Sequence, residues 1–236
     1  MSVTQRAIDE IKAMIIRGEL AAGDRLPKEA DLAARLGLSR NSLREAVRAL
    51  TLARILEARQ GDGTYVTSLE PSMLLEPLTF MADFHQDRTL LHVLEVRRIL
   101  EAAVTALAAQ YITDGELTEL RAVVEEMDAC ETVEAFVAND LRFHRLIGAA
   151  SRNPVLASVL ESFSTPLSRA RVWRAATQAN AIERTKAQHA AIYDALAHHR
   201  PDVARAVATA HIADVEAWLE GTLDRSAPDA GVPLAF

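Results

Sequence analysis

The stretch PKEADLAARLGLSRNSLREAVRALTL, Pro27 to Leu52, decides the fold of the first part of the chain. Leu32, Ala33 and Leu36 recur at helical spacing over Lys28 to Arg35, and the pattern stops at Gly37, a residue that ends helices by taking positive φ without steric cost. Ser39 then stands where a new helix needs a side-chain oxygen for its free amides, and Leu43, Val47 and Leu50 form an apolar stripe from Arg40 to Ala53. Pro27 suits the start of the first of these helices. Upstream, Val3 to Arg17 carries Ile8, Ile11, Ile15 and Ile16 at helical spacing, with Gly18 just beyond, and Leu20 to Pro27 reads as a turn. Downstream, Leu56 to Arg59 and Thr64 to Val66 flank Gln60-Gly61-Asp62-Gly63, a short β-hairpin with glycines available for positive φ.

Two helices joined by a tight glycine turn and followed by a hairpin form a winged helix-turn-helix, whose second helix enters the major groove of DNA by its N-terminal residues. Ser39, Arg40, Asn41 and Arg44 occupy those positions, Arg48 follows one turn on, and Gln60 and Gly61 form the wing tip. Arginines at this spacing also serve as an ordinary solvated helix face. Their company with Gly37, Ser39 and the Gly-Asp-Gly wing, in that order, selects the DNA-binding reading. Charge agrees: eleven Lys and Arg against nine Asp and Glu up to Thr67 leave about +2, while the remainder carries about −9 of the net −7 and would be repelled by phosphate.

The string Gly18-Glu19-Leu20, Gly23-Asp24-Arg25-Leu26-Pro27, Glu29, Leu32-Ala33, Leu36-Gly37, Ser39-Arg40, Leu43-Arg44-Glu45-Ala46, Leu50 and Gln60-Gly61-Asp62-Gly63-Thr64 resembles the GntR family of bacterial regulators. The resemblance implies a homodimer reading two palindromic half-sites of an operator. It puts Arg40 and Arg44 at bases or adjoining phosphates and Gly61 close to the minor groove. Ala30 departs from the pattern, standing where many members have Arg.

From Leu74 onward the periodicity is helical throughout, with helices expected at Met73–Phe84, Thr89–Tyr111, Asp114–Cys130, Thr132–Ala150, Asn153–Ala176, Ala179–His198 and Pro201–Leu223. The fold class is therefore mainly α: a winged helix-turn-helix over 1–67, a linker over 68–73, a seven-helix antiparallel bundle over 74–223 and a loose tail over 224–236. Asp140 and His144 are four apart and share a helix face, the spacing with which two residues chelate one ion. His189 and His211 lie twelve and ten residues either side of Pro201, so on an antiparallel pair both sit about 15 to 18 Å from the turn. One carboxylate and three imidazoles suit Zn²⁺, with Ni²⁺ or Mn²⁺ as alternatives, better than Mg²⁺ or Ca²⁺. A single histidine would more simply be a hydrogen-bonded core residue, and His85, His92, His198 and His199 read as surface.

Arg97 interrupts the apolar series Leu90, Val93, Leu100, Val104, Leu107, and a buried guanidinium needs an anion. Glu101 one turn on could supply one; the reading favoured here is that Arg97 clamps the carboxylate of a bound effector. Arg171 follows Leu156, Leu160, Phe163 and Leu167 in the same way, and Pro166 is expected to kink its helix. The second half resembles the FadR-type branch of the same family, whose helical effector domain often carries Asp-x-x-x-His followed by two later histidines and has an arginine facing the ligand. That resemblance implies a ligand-responsive regulator, not an enzyme, of the repressor kind released by a small organic or sugar acid. The rivals are a metal-dependent hydrolase and a nucleoid-type protein binding DNA without sequence preference. The sole cysteine, Cys130, can form no internal disulfide, and no run approaches the roughly 18 apolar residues of a membrane span, so a cytoplasmic protein is expected.

Overall fold

A computed structural model of the chain describes residues 2–70 and 89–225. Contacts divide it into two compact units, Met1–Leu74 and Leu75–Phe236. The expected helix Met73–Phe84, His85, most of the linker and the tail beyond Arg225 lie outside the described residues.

In the first unit, α1 (Val3–Ile16), α2 (Glu29–Leu36) and α3 (Arg40–Leu52) are followed by β1 (Leu56–Arg59) and β2 (Gly63–Val66), paired antiparallel with Leu56 opposite Val66. Ile11, Met14, Leu32, Leu43, Leu50, Leu56 and Val66 share one core. The inward stripe of α1 runs Ala7, Ile11, Met14, so Ile16 falls on the far face and is 86 % exposed, against the expectation from its apolar character. Gly37 closes α2 at φ +63°, and the amide of Leu38 returns to the Ala33 carbonyl at 2.9 Å. Ser39 Oγ accepts the Ser42 amide at 3.0 Å and opens α3. Pro27 precedes the α2 N-cap, Lys28, instead of occupying the first helical turn.

The segment read as a turn does more than connect. Gly23 and Leu26 donate to the Val66 and Thr64 carbonyls, and Val66 donates back to Asp24, so Gly23–Leu26 lies along β2 and makes an isolated antiparallel bridge, Arg25 opposite Tyr65. Gly61 takes φ +75° at the wing tip, as expected of a hairpin glycine. Gly63 has a different reason to be small: a Cβ there would lie 2.6 Å from Arg25 Nε, whose guanidinium crosses the strand to bond the Asp62 carbonyl.

The second unit consists, among the described residues, of α4 (Thr89–Tyr111), α5 (Asp114–Glu126), a 3₁₀ turn (Met127–Ala129), α6 (Val133–Ala150), α7 (Pro154–Ser162), α8 (Ser164–Thr177), α9 (Ala181–Ala197) and α10 (Pro201–Arg225). Alanines 102, 106, 108, 109, 204 and 208 are buried on α4 and α10, and these two long helices pack extensively on each other. Phe143, Ile147, Leu120, Val104, Ile192 and Leu196 fill the principal core between α4, α5, α6 and α9. The helix expected over Asn153–Ala176 is two helices, broken at Phe163. A proline at 166 has no amide hydrogen for the carbonyl of Ser162, four residues back, and the break falls at that point.

Gly37→Ala forces a Cβ into left-handed backbone and is expected to destabilise the first unit by about 1 kcal/mol. Hydrogen exchange of amides in α2 and α3 measures it; unchanged protection would show that the turn carries no conformational demand.

Candidate metal and anion site

Three helices bring the four side chains together. Asp140 and His144 project from α6, His189 from α9 and His211 from α10, and one ligating atom from each lies within 4.8 Å of the others. The imidazole centroids are 4.9 to 5.3 Å apart. Phe143 stacks on His189 at 3.9 Å, nearly coplanar, and fixes the ring from its dry side. Asp140 Oδ1 faces Nε2 of His144 at 3.6 Å and Nε2 of His189 at 3.4 Å.

Partners outside the quartet set the orientation of two rings. Glu101 of α4 pairs with Nδ1 of His144, and Gln188 Oε1 lies 2.8 Å from Nδ1 of His211. Both arrangements occupy Nδ1 and turn Nε2 toward the cluster, as second partners of metal-binding histidines do. His189 is fully buried, and neither of its nitrogens has a hydrogen-bond partner among the described residues. An apolar bundle does not leave an imidazole so placed without cost. One carboxylate, three imidazoles and orphaned inward nitrogens fit a borderline divalent cation, which the four side chains can hold.

Electrostatics are those of a buried ionic cluster. Burial alone would raise Asp140 and Glu101, but His144 beside both, and Arg97 beside Glu101, hold the two carboxyls well below the usual range. His144 is pulled down by burial and pushed up more strongly by Glu101 and Asp140, to about 9. His211 is lowered by burial and by His144 to about 4, and burial together with His211 holds His189 well below the usual histidine range. In the ion-free protein one proton therefore sits on His144, between two carboxylates, where a cation would sit.

Arg97 is 1 % exposed and donates Nε to Glu101 Oε2 at 2.6 Å, the ion pair that the sequence offered as the plainer alternative to an effector; Glu101 has a second role, on His144, that spacing along one helix does not reveal. Arg171 of α8 reaches Asp140 Oδ2 at 2.9 Å. Both arginines line one cleft of about 580 Å³, its open mouth included, with Asp140 and His211 in its wall and Leu94, Phe136 and Ile212 among its apolar lining. Arg174 lines it too and was not evident in the sequence, although it lies one helical turn from Arg171. Of the remaining histidines, His92 and His198 are exposed, and His199 meets the Ala109 carbonyl at 2.9 Å.

In the first unit, Arg40, Asn41, Arg44 and Arg48 are exposed on α3, and Gln60 and Gly61 on the wing. Arg44 bonds Glu29 of α2 at 3.1 Å and Arg48 bonds Glu45 at 2.9 Å, both at the surface.

Residues 3–66 match the family described as bacterial regulatory proteins, gntR family, and residues 92–214 match the FCD domain. The chain is 31 % identical over 219 residues to the HTH-type transcriptional regulator LutR of Bacillus subtilis, covering 90 % of this chain and 99 % of that protein. It is 30 % identical to the galactonate operon transcriptional repressor of Escherichia coli, over 90 % and 95 % of the two chains. Among solved structures, Streptococcus agalactiae GntR superposes with a TM-score of 0.72 at 29 % identity, covering 92 % of this chain and all of that one.

A divalent ion held by the quartet must displace the proton of His144. Uptake at pH 7 is expected to release about one proton, read by calorimetry in buffers of different ionisation enthalpy, with affinity weakening about tenfold per pH unit below 9. Because His144 is raised in the folded state, it stabilises the ion-free fold below its ordinary value of 6.5, and that contribution is lost as the pH rises through about 9. Ion uptake without proton release would remove His144 from the ligand set.

Proposed function

The chain belongs to the gntR family of bacterial regulatory proteins, with an FCD domain as its C-terminal half, and from that premise we propose a homodimeric repressor that leaves its operator when a small organic or sugar acid binds beside a divalent ion. It is a ligand-responsive, DNA-binding transcriptional regulator. The observation that carries the finer reading is the convergence of Asp140, His144, His189 and His211 with Arg97 and Arg171 at one cleft. We assign 1–67 to DNA binding and 74–223 to effector binding, and take the ion to be Zn²⁺, with Ni²⁺ or Mn²⁺ as alternatives.

Asp140 and the three histidines would hold the ion, which when bound offers a Lewis-acidic position to an oxygen of the ligand. Arg97 and Arg171 orient the carboxylate with planar donor pairs, and the apolar lining excludes water that would weaken them. At the other end of the chain, Ser39, Arg40, Asn41 and Arg44 open the recognition helix, Arg48 serves phosphate, and Gln60 with Gly61 brings the wing to the minor groove. Release follows by linkage: the acid must bind the DNA-free dimer more tightly than the DNA-bound one. Names of relatives support a sensor over a hydrolytic centre, since both are transcription regulators. No helix among the described residues is long and apolar enough to cross a membrane, in keeping with a cytoplasmic site of action.

Arg44→Ala is expected to cost about 1–3 kcal/mol of operator binding while random-sequence DNA is bound nearly as before, measured at one stated salt concentration. Unchanged discrimination would remove Arg44 from the groove. Arg97→Ala is expected to keep operator affinity but to need at least about tenfold more acid for release. Release at the same concentration would take Arg97 out of the anion site.

A further inference from the structure

Arg174 is a buried cation whose one carboxylate is shared. It is 5 % exposed; its guanidinium pairs with Asp214 of α10, and its Nε donates to Gln178 Oε1 at 2.7 Å. That one carboxylate also receives Arg184 and lies 3.3 Å from Gln188 Nε2, so two guanidinium groups and an amide share it. Burial, and then Arg184, bring Arg174 down to about 10, which leaves it charged at neutral pH. Of the cations on Glu101, Asp140 and Asp214, Arg97, Arg171 and Arg174 are largely buried and Arg184 is half exposed, and Asp214 is divided between Arg174 and Arg184. An isolated buried charge is costly, and such a site gains most from a ligand that completes the pairing.

The arrangement is also two-ended. Arg171 and Arg174 are three apart on α8, and His211 and Asp214 three apart on α10, so each pair spans one helical turn on one face. The first rung, Arg171 with Asp140 and His211, belongs to the ion end, and the second, Arg174 with Asp214, lies about one turn, ~5 Å, along. A four-carbon chain joins two carboxylates across such a distance.

We propose that Arg174 is a specificity-determining residue that receives a second carboxylate, so that the cleft selects four-carbon dicarboxylic acids over monocarboxylic acids of the same length. This rests on the acid-sensor reading above and adds to it the ligand's second anionic group. Asp214 acts as the internal competitor that holds Arg174 until that group arrives.

The test uses the full-length protein loaded with Zn²⁺ and two acids that differ only in the second carboxylate, malate and 2-hydroxybutyrate. Binding is followed by calorimetry and by the fluorescence of Trp173 and Trp218, the two tryptophans of the chain, whose rings lie 5.2 Å apart next to Arg174 and Val215 in sequence or by one turn. Malate is expected to bind at least about tenfold tighter than 2-hydroxybutyrate, and Arg174→Gln to abolish that preference while changing 2-hydroxybutyrate affinity by no more than about twofold. Asp214→Asn keeps the test decisive should Arg174→Gln fail to fold. Removing the competitor is expected to tighten malate several-fold and leave 2-hydroxybutyrate unchanged, whereas a purely structural ion pair would give weaker binding of both. Equal affinities in the unmodified protein, a preference that survives Arg174→Gln, or parallel losses in Asp214→Asn would overturn the assignment and leave the acid-sensor reading standing. Binding of neither acid, nor of any other carboxylate tried, would overturn that reading together with this one.

Discussion

Charge buried in an apolar bundle must be answered within the bundle, and the second unit is arranged around that demand. Arg97, Glu101, His144, Asp140 and Arg171 form one continuous chain of ion pairs through α4, α6 and α8, with side chains that are almost or largely withdrawn from water. Removing any member would strand its neighbours in a low-dielectric interior, a larger penalty than the pairs earn on balance. The alanine-rich contact of α4 with α10 and the Phe143 stack on His189 therefore have a second consequence beyond packing: they fix the distances at which these charges meet.

Glu101 makes the ion end and the anion end interdependent. One of its oxygens holds Arg97 and the other holds His144. Were a cation to replace the His144 proton, the imidazole would keep one N–H toward Glu101. Glu101 would then share less charge with His144 and more with Arg97, and the hold of Arg97 on an acid, as proposed above, would change with it. Gln188 plays the corresponding part on the other side, joining His211 to Asp214 and through it to Arg174. Two short hydrogen-bonded paths thus join the quartet to the arginines of the cleft, and on the proposed reading they would couple ion to acid.

How much of this was legible in the sequence follows from the range of each interaction. Gly37 and Ser39 act on their own backbone, so the turn and the start of α3 could be read directly. Asp140 and His144 needed only the helical period, and His189 with His211 only equal distances from a turn. Glu101 was visible as the i+4 partner of Arg97 but not as a partner of His144, because that contact joins α4 to α6. Gln188, Asp214 and Arg174 were silent for the same reason: their roles exist only after α8, α9 and α10 pack. Gly63 looked like a turn glycine, yet it also lies under the guanidinium of Arg25, 38 residues earlier in the chain, which a side chain there would push aside. The break at Phe163 was foreshadowed by Pro166, although a kink and a full interruption cannot be told apart from the proline alone.

The two units handle charge in opposite ways, and this separates their responses to solution conditions. On α3 the arginines rest against exposed acids, Arg44 on Glu29 and Arg48 on Glu45, pairs that are screened by salt and contribute little. Phosphate can displace such acids at small cost, so the first unit is poised to exchange partners, and its DNA affinity must fall steeply as ionic strength rises. In the second unit Glu101, Asp140 and Asp214 are held by guanidinium groups in a water-poor cleft, where screening is weak. Raising the salt therefore loosens DNA while leaving the ligand site nearly intact. On the proposed reading the operator would be met by exposed charge and the metabolite by buried charge, and the two signals would be joined by conformational linkage between two states.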